Sequence, residues 1–529
     1  ILLTKGRAIY TWPQSVSPIK GLFEELGLVM NKKIFWGDLH NHCGISYGHG
    51  SLERALKLAR QQLDFVSVTG HAFWPDIPTD RERYGSVIDY HLEGFAKLHA
   101  QWDEVLVTVA AAEEAGKFIA FPGYEWHSRA YGDHNIIYQG KEGPLVGGES
   151  LDELRQALKA TGNPFILEPH HIGYKLGGRG INWGAFDPSH SPIAELYSIH
   201  GCSESDEAPY PMLGTMGPRD HESTVICGLE KGHRFGFVAS TDQHSGYPGS
   251  YGDGRLAVFA ESLSREHIWD GLFKRRTYAV TGDKIKADFR VNGELMGGET
   301  SGSERLLNVR AVGSDWWKTV EVVKNGRLIQ RWAPLPVYGP PDTDKTVKLK
   351  VRIEWGWFRP SPAINWDATV ILGDGEITEV ETCFRGDPVV RRDEVKSIKE
   401  IIPSEIVEVA KNRVSWKSVT EGNLSTRHSK TQALILSLEA PLDASFCLQV
   451  NSKRWECPIR DLFEGGRAHF IMDFPSPAIK VHRAVCEEDY TFQVELVDNQ
   501  PERKIDYYYV RMEQMNGQCA WLTPVWVNG

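Results

Sequence analysis

Several absences narrow the reading before any motif is weighed. No run approaches the roughly 20 consecutive apolar residues that a helical membrane span needs, so no membrane partner is expected. There is no CxxC pair, and the eight cysteines at 43, 202, 227, 383, 447, 457, 486 and 519 fall in no regular framework. They read as reduced thiols, with Cys43 as small buried packing. Positive charge is not in excess either: 59 Lys and Arg stand against 70 Asp and Glu, a formal net charge of -11. Such a molecule repels a polyanion as a whole, which argues against nucleic acid as a bulk partner. Internal repeats and low-complexity tracts are missing. The opening "ILLTKGRAIYTWPQ" lacks the basic n-region and long apolar core of a signal peptide, so a cytoplasmic location is expected. The first residue is not Met, which leaves a trimmed leader open.

What is present is ordinary folded-protein material, 41% apolar and 24% charged over 529 residues, long enough for two or three domains. From about Ile34 to Gly282 short β-rich runs alternate with amphipathic stretches. "KKIFWGDLH", "DFVSVTGH", "FIAFPGYEWHS", "PFILEPHHIG", "SPIAELYSIHG" and "FGFVASTDQHSG" predict strands. "SLERALKLARQQL", with Ser51 as its N-cap, the region from Asp89 to Gly116, "SLDELRQALKAT" and "REHIWDGLFKRR" predict helices. This alternation argues for a parallel α/β sheet or barrel over residues 1–285. Residues 286–529 change to short alternating strands with Asn325-Gly326 and Asp374-Gly375 turns, predicting a β-rich, sandwich-like region of one or two modules. The Pro-rich "APLPVYGPPDTD" is expected to be an exposed loop.

The polar residues of the first half gather where each predicted strand runs out: Asp38, His40, His42, His49, His71, Glu125, His127, His134, His170, His171, His200, Asp242 and His244. In a (β/α) barrel those ends share one face. Imidazoles and carboxylates are the ligands of Zn, Mn and Fe, and a carboxylate can bridge two ions. A lone strand-end histidine is usually only a hydrogen-bonded structural residue. His91, His99, His190, His221, His233, His267, His428, His469 and His482 are read that way. The coincidence of an HxH, a strand-end His, a strand-end Glu and a DxH points instead to a metal site.

These residues carry a resemblance. "GDLHNH", "VTGH", "GYEW" with "DHNIIY", "EPHHIGY" and "STDQH" resemble the successive motifs of the PHP (polymerase and histidinol phosphatase) superfamily. "AELYSIHGCSE", "RRTYAVTGD" and the closing "DYYYVRMEQMNGQCAWLTPVWV" are similar to a long-chain branch catalogued as a domain of unknown function. The resemblance implies an α/β fold, a distorted seven-stranded (β/α) PHP-type barrel followed by the β-sandwich-rich half, and two or three divalent ions of Mn, Zn or Fe. By the same resemblance His40, His42, Glu125 and Asp242 hold the first ion. Glu125 bridges to a second held by His134 and one histidine of the "EPHH" pair, taken as His170, which comes first, with His171 left open. His49, His71 and His244 hold the third. Two departures bear on that third site: Gly70 stands where the family has Asp, and His49 follows His42 at slightly longer spacing than usual.

With ions present, an activated water would attack an ester. The resemblance implies a phosphoesterase cleaving a small-molecule phosphate mono- or diester, with His171 or His200 as proton donor to the leaving group. Arg129, Lys175, Arg179 and Arg255 are candidate anion-binding residues on the same face. Trp36, Trp74, Trp126, Tyr131, Tyr174, Trp183 and Tyr247 could line an apolar pocket that suits an aryl or organic ester, or simply pack the core. Two other readings stand beside this one: hydrolysis of a carboxylic ester, lactone or amide by the same metals, and a metal-binding scaffold without catalysis. The C-terminal β region would then serve partner binding or homo-oligomerisation.

Overall fold

Strands β1 (Lys33–Asp38), β2 (Phe65–Phe73) and β3 (Ile119–Trp126) lie side by side in parallel, with Gly37 opposite Phe65 and His71 opposite Glu125. The computed structural model describes residues 32–529 except 215, 358–362, 388–401, 423–428 and 474–475. The opening stretch weighed as a leader, and His428, lie outside the described residues. β3 is buried along its whole length and β2 along all but its last residue. That two-sided burial is why both read as apolar runs without alternation.

Helix α1 (Leu52–Arg60) links β1 to β2. The Ser51 side chain caps it by accepting the Arg54 amide, and Leu52, Ala55, Leu56 and Ala59 form its buried stripe. Helix α2 (Arg81–Ala112) links β2 to β3 and begins well before Asp89, because Asp80 caps it by accepting the Arg83 amide. Its buried Phe95, Leu98, Trp102, Val105 and Val109 recur every three or four residues.

After β3 the parallel alternation expected of the first half gives way. β4 (His134–Tyr138) turns back antiparallel on β3, placing His134 opposite Trp126, and β5 (Phe165–Pro169) is antiparallel to β4. Residues 127–133 are too few for the dozen or so that a parallel crossover needs, so the chain makes a hairpin. β6 (Ile193–Ser198), β7 (Gly201–Cys202) and β8 (Gly236–Ala239) form a separate three-stranded sheet. β9 (Arg255–Ala260) and β10 (Thr277–Val280) extend the main sheet antiparallel beyond β1. The result is a mixed, sheet-rich α/β arrangement, and among the described residues the hydrogen-bonded ladders do not close a seven-stranded ring.

The final strands join this sheet. Cys519–Asn528 pairs with β10, and Ile505–Gln514 pairs with it in turn. "YYYVRM" is therefore covered on both faces. Tyr508, Val510 and Met512 share a core with Trp36, Tyr278 and Phe289, while Tyr507 and Tyr509 share another with Trp183 and Phe237. Between Arg327–Trp332 and Thr491–Asp498 the chain builds two further sheets from strands within 347–486 that enclose Trp355, Trp366 and Trp416. Leu335, Val337 and Tyr338 of the Pro-rich loop are exposed. No helix among the described residues is long and apolar enough to cross a membrane.

Candidate metal centre

The ends of β1, β2, β3, β5, β6 and β8 deliver their polar residues to one region, and backbone hydrogen bonds lock two of the loops together. The Asp242 amide donates to His40 O at 2.7 Å, the His42 amide to Gln243 O at 2.8 Å and the His49 amide to His244 O at 2.8 Å. Asp38 ties the same two loops from below. It is fully buried and accepts from Thr241 Oγ1 at 2.6 Å and the Gly249 amide at 2.8 Å, so it positions the loops rather than facing a ligand. Asp242 sits at φ 50° and His171 at φ 31°, a left-handed backbone that side chains adopt only where surrounding contacts over-determine it.

Glu125 is the hub. Its Oε2 lies 3.2 Å from His71 Nε2 and 3.5 Å from His42 Nε2, and its Oε1 lies 3.0 Å from both His170 Nε2 and His127 Nδ1. Asp242 forms a second focus: Oδ1 is 3.0 Å from His42 Nε2 and 3.3 Å from His40 Nε2, and Oδ2 is 2.8 Å from His200 Nε2. Ligand atoms of His40, His42 and Asp242 converge closely enough to hold one ion. So do those of His42, His71 and His244, of His71, Glu125 and His127, of His171, His200 and Asp242, and of Glu125, Asp133, His170 and His171.

The charge states suit cations. Burial would raise Glu125, but His127, His71 and His170 hold it well below the usual carboxylate range. Asp242 is held low against burial by His40 and His200, and Asp133 by Arg179 and His127. Burial pushes His71 and His170 well below the ordinary imidazole value, and takes His244 down to about 3. These rings are neutral at pH 7 and keep a lone pair for a ligand bond. His40 goes the other way: burial lowers it, yet Asp242 and Glu195 overrule that and hold it well above the ordinary value. Without an ion, this imidazole takes up a proton to balance the carboxylates.

An orphaned atom supplies the test of fit. Glu125 Oε2 is buried and makes no hydrogen bond among the described residues, although the His71 and His42 ring nitrogens lie only 3.2 and 3.5 Å away. Buried polar atoms are normally satisfied. A divalent cation among them satisfies several at once, and mixed imidazole and carboxylate donors fit Mn, Zn or Fe.

Other expected residues are placed as follows. His134 is buried at the start of β4, its Nδ1 2.9 Å from Gly132 O and its ring beside Trp126, and burial lowers it to about 4. His49 is partly exposed and held through its backbone. Arg129 and Lys175 are exposed. Arg179 is only 17% exposed and pairs with Asp133, with Glu125 Oε1 at 3.7 Å. Arg255 is fully buried and donates to Gly249 O at 3.0 Å, Gly282 O at 3.1 Å and Gln62 Oε1 at 2.8 Å, so that it clamps these segments together instead of standing on an exposed loop. Of the aromatics, Trp74 lies under Arg179 and Tyr174 meets the site, its hydroxyl 2.7 Å from His200 Nδ1. Trp36 and Trp183 belong to separate apolar cores.

Sequence reasoning passed over four residues of this neighbourhood. Glu195 of β6 orients the centre from behind: Oε2 lies 2.8 Å from His40 Nδ1 and Oε1 accepts the His171 amide at 3.0 Å. A carboxylate behind a ligating imidazole fixes its tautomer and raises its basicity. Asp133, beside His134, reaches His127 at 3.1 Å and His171 at 3.4 Å. Ser46 supports His71, and the Tyr47 ring stacks on it at 3.5 Å. Glu195 and Asp133 do lie within "AELYSIHG" and "DHNIIY", so the motif phrases were the available signal.

No family model matches the chain. Uncharacterized proteins of Chlamydia trachomatis and Chlamydia pneumoniae are each 28% identical to it, over 43% and 44% of this chain and 40% and 41% of theirs. One of Chlamydia muridarum is 27% identical over 43% of this chain and 40% of its own. The chain thus spans about two fifths of the length of the curated relatives it matches. A crystal structure from Bacteroides vulgatus, described as a two-domain protein containing a predicted PHP-like metal-dependent phosphoesterase, is 12% identical. The match covers 81% of this chain and 96% of that one with a TM-score of 0.31, a likeness too shallow to argue from.

Proposed function

We propose that this chain is a metal-dependent phosphoesterase of the PHP type, cleaving a small phosphate mono- or diester at the centre around Glu125. One observation carries the reading: a single buried, ionised carboxylate lies within 3.5 Å of four imidazoles, His42 and His71 on one oxygen and His127 and His170 on the other. A structural carboxylate is satisfied by one or two donors, whereas four ring nitrogens around one carboxylate suit ligands gathered for cations. His40, His42, His71, Asp242 and His244 would hold divalent ions, with Glu125 between them, and His49, His134 and His170 remain proposed ligands by family resemblance. When bound, such ions supply positive charge to the ester oxygens and acidify a water to near neutrality.

The chain's own residues do the rest. Asp242 Oδ2 and the Tyr174 hydroxyl hold the His200 ring from both nitrogens, at 2.8 and 2.7 Å, so this 21% exposed ring would exchange one of these partners for the leaving-group oxygen when it gives up a proton. His200 is the proposed proton donor, with His171 behind it at 4.8 Å between ring centres. Lys175 and Arg129 on the rim are proposed to attract the anionic substrate. The domain division is part of the proposal: residues 1–285 carry the metal-binding barrel, and 286–529 the β-rich region, a candidate surface for homo-oligomer contacts. The test is phosphate release by His42→Ala and Asp242→Ala proteins. Each is expected to fold and to lose turnover by several orders of magnitude, and activity retained in both would sink the assignment.

A further inference from the structure

Glu125 divides the centre into two halves, and they differ in one respect. The Oε2 half, facing His42 and His71, contains only ring nitrogens and carboxylates. The Oε1 half already contains a cation. The Arg179 guanidinium pairs with Asp133, lies beside His127 Nδ1, approaches Glu125 Oε1 at 3.7 Å and covers the Trp74 ring at 5.2 Å.

Its delivery is built into the backbone. Arg179 adopts φ 74°, which a side chain bears only under constraint, and the constraint is visible. The Gly178 and Gly180 amides both donate to Lys175 O, at 2.8 and 3.1 Å, and the Gly177 amide donates to Arg129 O at 2.9 Å. A Cβ on Gly180 would stand 1.6 Å from Tyr174 O, so the "GGRG" turn closes only with glycine there. The loop therefore holds a permanently charged, planar group against two of the four residues that could otherwise hold an ion, Glu125 and Asp133. A divalent ion in the group Glu125, Asp133, His170 and His171 would compete with the guanidinium for the same oxygens, and like charges so close repel in a buried setting.

We propose that Arg179 takes the place of a metal ion in the group Glu125, Asp133, His170 and His171, so that the centre binds two divalent ions, both away from that group. One is drawn to His40 and Asp242 and the other to His71 and His244, with His42 Nε2 between them serving one of the two, and His134 and His170 then hold no ion. The inference rests on the metal-centre reading above and specifies its count. In it Asp133 serves Arg179 rather than an ion.

The experiment is elemental analysis of the full-length chain equilibrated with Mn or Zn and freed of loose ions. The wild type is expected to hold two ions per chain. Arg179→Met, which keeps the length and removes the charge, is expected to hold three, and Asp133→Asn two. Three ions in the wild type, two in a folded Arg179→Met, or loss of an ion in Asp133→Asn overturns the proposal. Should Arg179→Met not fold, Arg179→Gln replaces it, with three ions expected and two overturning the proposal. A wild type with no ion at all removes the metal-centre reading itself, an outcome distinct from a count of three.

Discussion

Ser46 Oγ lies 2.9 Å from Nδ1 of His71 and also accepts the His71 backbone amide at 3.1 Å. A hydroxyl that accepts from Nδ1–H leaves the Nε2 lone pair facing Glu125 and free for an ion. Ser46 thus supports His71 from the β1–α1 loop, next to a position, Gly70, that offers no side chain. Position 70 itself is tight, since a Cβ there would meet Leu98 Cδ1 at 3.0 Å and Ile45 Cγ1 at 3.1 Å, and these side chains would have to give way slightly. Ser46→Ala is predicted to weaken one bound ion by roughly 10- to 100-fold in a chelator titration. Unchanged affinity for every ion would mean that His71 is not a ligand.

Arg255 predicts a stability effect where its charge would suggest a substrate effect. Arg255→Met leaves Gly249 O, Gly282 O and Gln62 Oε1 without their donor inside the protein. At about 1 kcal/mol or more for each stranded partner, the loss is on the order of 3 kcal/mol, read as a lower urea midpoint. A raised KM with an unchanged midpoint would return Arg255 to the substrate.

His134 sets a pH dependence in the metal-free protein. Burial lowers it from 6.5 to about 4, so the folded ring stays neutral while the unfolded chain takes up a proton between those values. The native state is then fully favoured above about 6.5 and loses stability as pH falls toward 4, by on the order of 3 kcal/mol for this group. Urea unfolding at pH 7 and at pH 4.5 should show a smaller difference in His134→Gln than in the wild type. Equal differences would show that this ring is not the source.

His200 as proton donor predicts dependence on the leaving group. His200→Asn should slow hydrolysis of an alkyl phosphate ester by on the order of 100-fold or more, and of a nitrophenyl ester much less, because a good leaving group needs no proton. The comparison is of kcat for the two substrates, and an equal loss on both would assign His200 to binding or to a metal.

Much of this was legible in the sequence, for reasons tied to particular residues. His40, His42, Asp242 and His244 declare themselves because HxH and DxH at strand ends are local patterns, and α1 because Ser51 and its apolar stripe are local too. Long-range pairing is not local. Glu195 meets His40 across 155 positions, and Asp133 reaches His171 through a hairpin into β4, a strand that the sequence reading did not separate out. Arg255 looked like a loop cation because nothing local announces that Gly249, Gly282 and Gln62 surround it. The pairing of the last two strands with β10 lies likewise in tertiary contacts.

The most direct measurement is release of phosphate and alcohol from aryl phosphate mono-, di- and triesters and aryl acyl esters, by protein stripped of metal and then reloaded with Mn or Zn. The account predicts phosphate-ester cleavage that disappears on stripping and returns on reloading. Turnover of acyl esters alone, or cleavage indifferent to metal, would contradict it.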